Sequence, residues 1–522
     1  MTNQTLHGVL QDSSPNAQSE AASAATNDLP QYAVWRFGDY GRLTESNGIY
    51  RLEFSRDGKL LATRNRENSV AIYDVQKQTQ ICEVSGHENS WVTSIDFSPD
   101  AEFFMTAAGS SEKVKIWNTQ TGKLESEIDT DATAAYFDDA GDAIHVFGET
   151  HVETYSWPGV QMTTQRKWKT EKLTRAGMSR DGRLVVAYRS LNPQIYQSLV
   201  IDLESKSKVT LDGTTAIPKS VVFSPNNLWV AVVHQRDPRV RLWDLRDPGN
   251  KKYTLAKHNE TVQSISISPD NRFLISSSWD GNVVAWDLLS REPIGLFEGH
   301  TQHVNATAFS PVDFIFASGA SGVNDCSTIL WNMRDLVIPE VPDPKPEDFD
   351  PIWSRLGTTS LKISLRATAE FIKGGEMFLD PLEERIKSSV MTSSSGTFDE
   401  NIRLLTHPEY VVRERATEDL IRVRVQAEPR LRRVLVESTD PELRYRIGRI
   451  LKTKIARSTT SVVDLRRWGR IIFALEQINS THSQKILESI ADGHRDVDVA
   501  EDARDSFERN ERRNKLPSDT AS

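Results

Sequence analysis

The stretch "ISPDNRFLISSSWDGNVVAWD" occupies residues 267–287. Apolar and polar residues alternate in it, and two turn-forming clusters, "SPDN" and "WDGN", interrupt the alternation. Period-two alternation with such punctuation reads as β-strands joined by tight turns. The pair Trp-Asp appears twice, as Trp279-Asp280 and Trp286-Asp287. Two carboxylates and two indoles so close together could form a site, or they could mark a fold.

Working outward decides part of this. An apolar residue, a Ser and a turn recur as "FSRDG" (54–58), "FSPDA" (97–101), "FDDAG" (137–141), "MSRDG" (178–182), "FSPNN" (223–227), "ISPDN" (267–271) and "FSPVD" (309–313). The second position falls at 55, 98, 138, 179, 224, 268 and 310, spacings of 40 to 45 residues. A second phrase keeps step with it: "VAIYD" (70–74), "VKIWN" (114–118), "ETYSW" (153–157), "SLVID" (198–202), "VRLWD" (240–244), "VVAWD" (283–287) and "TILWN" (328–332). Each unit holds three alternating runs, and a fourth, such as "PIGLFEG" (293–299), leads to the next. Four strands in about 43 residues predict one propeller blade per unit. The last unit lacks its fourth run, whereas "QYAVWRFGDYGRL" (31–43) precedes the first with no unit of its own. That run is expected to supply the outer strand of the last blade and close the ring.

These residues carry a resemblance. Residues 32–335 resemble a WD-repeat seven-bladed β-propeller: "GH" stands at 86–87 and 299–300, and most units end in Trp-Asp or Trp-Asn. The third unit ends "YSWPG" and the fourth has Ile201 in place of Trp. The resemblance implies a structural tetrad of His, Ser or Thr, Asp and Trp in each complete blade. Here these are His258, Ser276, Asp280 and Trp286 in the sixth unit, and His300, Ser318, Asp325 and Trp331 in the seventh. The second unit has Ser111 where Asp is expected, and the fifth has Val232 where Ser is expected. A Ser, a His and an Asp together could be mistaken for a hydrolase triad, but a catalytic site occurs once and this set repeats.

The remaining chain divides by composition. Residues 1–31 are small and polar and are expected to be a disordered tail. Residues 336–351, "LVIPEVPDPKPEDFDP", hold five prolines and are expected to be a semi-rigid linker. Beyond it the apolar period lengthens to that of a helix. "HPEYVVRERATEDLIRV" places Val412, Ala416, Leu420 and Val423 on one face. "DPELRYRIGRILKT" offers Asp440 as N-cap and Pro441 as first helical residue, with Leu443, Ile447, Ile450 and Leu451 as its stripe. An α-helical, HEAT-like domain is expected over 352–513, with a flexible tail at 514–522. A propeller followed by short helical repeats resembles bacterial WD-repeat proteins of that architecture, and "YVVRERATEDL…DPELRYRI" carries the likeness.

Composition narrows function. The chain has 522 residues, two cysteines and a net charge of -10. Cys82 and Cys326 are too few for a disulfide framework or a zinc site. No run of 18 apolar residues and no secretory leader is visible, so a cytoplasmic protein without a membrane span is expected. Phosphate-binding loops, dinucleotide fingerprints, HExxH and nucleophile elbows are absent, so no catalytic residue, cofactor or metal is assigned. Between Arg403 and Arg457, 14 basic residues face 8 acidic ones, but the acids are interleaved and helix-surface ion pairs account for most of them. That and the negative total argue against nucleic acid as partner.

Binding in a propeller usually uses the rim where blades begin and central turns protrude. Aligning the units nominates two positions per blade. The first gives Gly48, Trp91, Asp131, Lys172, Ile217, Thr261 and His303; the second gives Arg66, Ser110, Thr150, Gln194, Arg236, Trp279 and Asn324. Trp and Arg are the side chains most enriched in interface hot spots. Arg66, Trp91, Arg236, Trp279 and His303 are therefore the candidate partner-binding residues. The expected function is a non-catalytic scaffold for other proteins or peptides, using the propeller face and the helical domain. The alternatives are an enzyme working in the central channel and a nucleic-acid-associated factor using residues 403–457.

Overall fold

Why the Ser phrase recurs is visible in its hydrogen bonds. Ser55 Oγ accepts the Leu60 amide at 2.9 Å and donates to Asp57 Oδ1 at 2.6 Å. The Phe103 amide finds Ser98 Oγ at 3.0 Å, Leu184 finds Ser179 at 2.8 Å, Trp229 finds Ser224 at 2.9 Å and Phe273 finds Ser268 at 2.9 Å. In the third unit Asp138 replaces the Ser, and its Oδ1 accepts the amides of Gly141, Asp142 and Ala143. Three residues after this position the backbone is left-handed at Gly58, Ala101, Gly141, Gly182, Asn227 and Asn271. Glycine and asparagine tolerate that conformation best, which explains why they dominate the position. The repeated phrase is therefore turn chemistry that each blade needs to start its second strand.

The computed structural model describes residues 29–40, 48–87, 90–109, 113–130, 132–138, 140–148, 151–167, 174–179, 182–192, 195–203, 206–211, 216–245, 252–312, 314–389, 396–422, 430–431, 433–435, 438, 440–452, 461–494 and 496–515. The expected tail lies outside them up to residue 28. Two compact units emerge, Met1–Trp286 with Gly295–Met333, and Asp287–Ile294 with Arg334–Ser522.

The described strands form seven four-stranded sheets, the blades of a β-propeller. Blade one holds Ile49–Phe54, Leu60–Asn65, Val70–Asp74 and Thr79–Val84 in that order. Blades two to six follow at 92–128, 134–167, 174–211, 218–256 and 262–298. Blade seven uses His303–Phe309, Ile315–Ser321 and Asp325–Asn332, and its fourth strand is Ala33–Tyr40, antiparallel to Asp325–Asn332. The N-terminal strand thus closes the ring and gives the last sheet the partner its own unit lacks.

Innermost strands of neighbouring blades are laced together. The Ala135 amide donates to Ser94 Oγ at 3.0 Å, Phe137 to Asp96 Oδ2 at 2.8 Å, and Phe309 to Ser266 Oγ at 3.1 Å. Apolar clusters fill the spaces between sheets, one of them joining Phe54, Leu61, Ala308 and Leu330. A side chain at Gly319 would strike Ile49, so blades seven and one approach closely only because that residue is glycine.

The second unit is α-helical. The segment 336–351 contains the end of a short helix, Arg334–Val337, then a 3-10 turn at Pro346–Asp348. Regular helix begins at Phe349, ahead of residue 352, because Pro351 lies in the first turn where its missing N–H has no bond to lose. Val341 is buried in this segment. Helices Phe349–Leu356, Leu361–Gly374, Glu376–Ser389, Val462–Ile478, Thr481–Gly493 and Val497–Lys515 share one core around Phe371, Phe378, Trp468 and Leu487. The last of them runs two residues into the expected tail, and residues 516–522 lie outside the described set.

Between these, Gly396–Leu404, Tyr410–Arg422 and Pro441–Lys452 enclose a separate cluster of Ile402, Ala416, Leu420, Ile447 and Ile450. Asp440 Oδ1 accepts the amides of Glu442 and Leu443, so it caps the helix that Pro441 opens. Leu443 and Leu451 pack against the cluster as partly buried members, whereas Val423 lies outside the described residues. Among the described residues no helix is long and apolar enough to cross a membrane.

Candidate functional site

The start of each blade's first strand pairs with the end of its second. Val92 faces Ala108, Val262 faces Ser278 and His303 faces Ser321. The two nominated positions therefore share one end of blades one, five, six and seven, where both are described. The Trp279 amide donates to Thr261 O at 3.1 Å, and Gln235 to Ile217 O at 3.0 Å.

Trp279 is 41% exposed. It stacks on His303 with ring centroids 5.3 Å apart, and the Lys219 ammonium lies 5.5 Å over its ring. Its indole N–H donates to Asn305 Oδ1 at 3.2 Å. Trp91 is 53% exposed. Its ring lies 5.9 Å from Tyr50 and 5.1 Å from the Arg64 guanidinium carbon. Tyr50 Oη and Ser321 Oγ are hydrogen-bonded at 2.9 Å. His303 and Ser321 face each other in blade seven. The contacts thus run unbroken from Lys219 in blade five through Trp279, His303, Ser321 and Tyr50 to Trp91 in blade two.

A backbone device supports this arc. The pairing of first and second strands slips at their entrance in blades one, two, four, five, six and seven. The extra residue is Tyr50, Thr93, Ala176, Lys219, Gln263 or Asn305, in chain order. A β-bulge re-aims the side chain it carries. Three of these residues, Tyr50, Lys219 and Asn305, are the ones that touch the two tryptophans. Sequence alignment missed them because a bulge is invisible in a strict period-two pattern. Arg66 and Arg236 are exposed on their turns, and Arg236 has a left-handed backbone. Ser110, Asp131, Thr150, Lys172 and Gln194 lie outside the described residues, as does Ser111.

Beneath this face the four-residue sets come together. His258 Nδ1 meets Asp280 Oδ2 at 3.0 Å, His258 Nε2 meets Ser276 Oγ at 2.9 Å, and Trp286 Nε1 donates to Ser276 Oγ at 2.9 Å. In blade seven the matching distances are 3.1 Å for His300 to Asp325, 2.8 Å for His300 to Ser318, and 2.8 Å for Trp331 to Ser318. With Nδ1 donating to the carboxylate, the Ser hydroxyl accepts the indole proton and gives its own to Nε2, so each polar group is matched. Burial alone would raise the Asp280 carboxyl. The hydrogen bonds from His258 and from the amides of Asn259 and Asn282 outweigh burial and hold it below the usual carboxylate range. Asp325 is held low in the same way by His300, Ser327 and the Thr301 amide, against its burial. Blade two keeps half of the arrangement: Thr106 Oγ1 meets His87 Nε2 at 2.8 Å and accepts Trp117 Nε1 at 3.0 Å.

Comparison with known proteins agrees with this geometry. The family description "WD domain, G-beta repeat" matches residues 205–244, 249–287 and 291–332, which cover most of blades five to seven. "Nucleolar protein 10-like, N-terminal domain" matches residues 8–163. The chain carries WD repeats in a seven-bladed propeller. It is similar to the "WD repeat-containing protein WDS homolog" of Arabidopsis thaliana, 21% identical over 303 residues, covering 55% of this chain and 56% of that one. The "WD repeat-containing protein 26 homolog" of Drosophila melanogaster is 23% identical over 300 residues, 55% of this chain and 46% of that one. The "LEC14B protein" of Lithospermum erythrorhizon is 23% identical over 262 residues, 46% and 51% respectively. The chain spans about half the length of these curated relatives.

The helical unit of this WD-repeat protein carries several of its basic residues in ion pairs. Arg446 reaches Glu442 at 2.6 Å and Glu414 at 3.1 Å, Arg449 reaches Glu414 at 2.5 Å, and Arg430 reaches Asp399 at 2.5 Å. Only the first of these has the i to i+4 spacing; the others cross between helices. Tyr410, Val411 and Tyr445 are exposed near them. Asp380, Glu383 and His482 converge as groups that could hold a metal ion, with Glu376 Oε2 at 3.3 Å from His482 Nδ1. No sequence spacing pointed to that convergence, because His482 lies on a different helix from the acids.

Proposed function

We propose that this WD-repeat protein is a non-catalytic scaffold. It binds a protein segment across the rim of blades five, six, seven, one and two. The observation that carries this reading is the unbroken arc from Lys219 through Trp279 and His303 to Tyr50 and Trp91. Half-exposed tryptophans flanked by cations are the side chains that anchor interfaces, and the fold does not require them. At the position of Trp279 the other units carry Arg66, Ser110, Thr150, Gln194, Arg236 and Asn324. Arg66 and Arg236 would add charge contacts at the edges of the bound segment. The exposed Tyr410, Val411 and Tyr445 offer the helical unit a surface of its own for a second protein. We place the protein in the cytoplasm; imaging that finds it in the nucleolus, as the name of its second matching family hints, would overturn that assignment.

The test is quantitative affinity purification of wild type beside the double variant Trp91→Ala/Trp279→Ala. Both should give the same circular dichroism, since both indoles are half-exposed. Partners retained by the wild type should fall at least about tenfold, corresponding to more than 1.4 kcal/mol from the two side chains. Equal recovery from a folded double variant would move the interface elsewhere.

A further inference from the structure

The arc ends at an unpaired cation. Arg64 is only 7% exposed, and its Nε and Nη1 have no hydrogen-bond partner among the described residues. Its guanidinium carbon lies 5.1 Å from the Trp91 ring and 5.5 Å from the Tyr50 ring. Directly across the strand pair stands Arg51, a second cation. Like charges opposite each other destabilise a sheet, and a buried guanidinium without an acceptor is costly to keep. Burial and the Arg51 charge together lower the Arg64 pKa to about 10, so the group stays charged at neutral pH at a cost.

The fold does not ask for this residue. Counting three positions on from the residue that faces the end of each blade's first strand gives Arg64, Ala107, Phe147, Tyr188, Val233, Ser277 and Gly319. Six blades manage with uncharged side chains, and one carries a charge. Trp91, which walls the guanidinium on one side, has its indole half in solvent.

We propose that Arg64, Arg51, Tyr50 and Trp91 form a pocket for the side-chain carboxylate of an acidic residue in a bound protein segment. The proposal rests on the peptide-binding reading above and names the residue type that the blade-one end of the arc selects. A carboxylate supplies acceptors for the orphaned N–H groups and separates the two like charges. The aromatic walls take the methylenes that carry it. The whole chain has a net charge of -10, so an extended polyanion is repelled and a single acid on an otherwise neutral segment suits better.

The experiment uses the full chain and an array of 15-residue random peptides, each with a fixed central Glu and a twin carrying Gln. Wild type should favour Glu over Gln by about tenfold among the peptides it binds. Arg64→Met should bring that ratio to about one while remaining folded, because it removes a buried unpaired charge. Arg51→Gln, at a partly exposed site, should lower the ratio without abolishing binding, and serves as well if Arg64→Met does not fold. Trp279→Ala should weaken both twins equally and keep the ratio. Equal binding of Glu and Gln twins by wild type would overturn the pocket but leave the interaction reading intact. A phosphoserine version binding more than tenfold tighter than Glu would overturn the carboxylate assignment. No binding to any peptide would count against both.

Discussion

Blades five and six have the same strand order and opposite polar interiors. In blade six Ser276 joins His258 to Trp286, and every polar group of the set His258, Ser276, Asp280 and Trp286 has a partner. In blade five Val232 stands at that place. Trp243 is fully buried there, and its Nε1 has no acceptor among the described residues. The sequence puts Thr214 rather than His nine residues before the Phe223 that matches Ile267. Blade five instead buries His234, with its Nδ1 3.2 Å from the Arg241 guanidinium, and its Nε2 is unpartnered. Arg241 in turn reaches Asp237 at 2.5 Å. One blade is held by a matched polar set; the other relies on apolar packing around Val230, Val232, Leu211 and Trp243. A propeller blade can therefore lose the set and keep its shape, and the two should respond differently to mutation and to acid.

The largest difference should appear when blade six is given the interior of blade five. Ser276→Val removes the acceptor of Trp286 and the partner of His258 together. Each orphaned buried group costs about 1–3 kcal/mol, so the loss should be roughly 4 kcal/mol. Urea unfolding of wild type and variant measures it. A loss below about 1 kcal/mol would mean that packing, not the hydroxyl, holds both blades alike.

Acid separates the blades next. Burial, reinforced by Arg241, pushes His234 down from its ordinary value to about 4, with Asp237 opposing. It is neutral when folded, whereas the unfolded chain protonates near pH 6.5. Its contribution is therefore fully present above pH 6.5 and is lost as pH falls through about 4. The whole window is worth roughly 3 kcal/mol. Asp280 and Asp325 are depressed carboxylates, so their contribution is present above the unfolded carboxylate value near 3.9 and is lost only below it. Stability measured from pH 7 to 4 should fall in wild type and stay nearly level in His234→Leu. An unchanged slope in that variant would exclude His234 as the sensor.

Turn chemistry made the fold legible. A Ser hydroxyl, or Asp138 in the third blade, captures an amide and a left-handed residue follows in the six blades where it is described, so the phrase recurs at a visible spacing. The helix cap at Asp440 was legible for a similar local reason. Trp279 stood out because the aligned units do not share it, and the structure brings it against His303, nominated on the same grounds. The bulged residues Tyr50, Lys219 and Asn305 were hidden, since a bulge breaks the alternation that aligns strands. Arg64 was hidden by its place within a strand, although the charge at a position otherwise filled by Ala, Phe, Tyr, Val, Ser and Gly was a usable signal. The ion pairs of Arg446 and Arg449 with Glu414 join helices distant in sequence, which i to i+4 counting cannot reach.

The smallest effect is the most specific. If Trp243 lacks an acceptor because blade five carries Val232, then Val232→Thr should stabilise the protein. Threonine has nearly the shape of valine, and Thr106 already fills the equivalent place in blade two, where its Oγ1 accepts Trp117 Nε1 at 3.0 Å. The gain is the cost of one orphaned N–H less the desolvation of the new hydroxyl, about 1 kcal/mol. Most core substitutions of an apolar by a polar side chain destabilise, so the sign is the test. A higher urea midpoint with an unchanged slope, together with hydrogen-exchange slowing at the Trp243 indole, supports the account. A lower midpoint would show that blade five has fully adapted to its apolar interior, and that the two blades are alternative solutions rather than a complete and a depleted one.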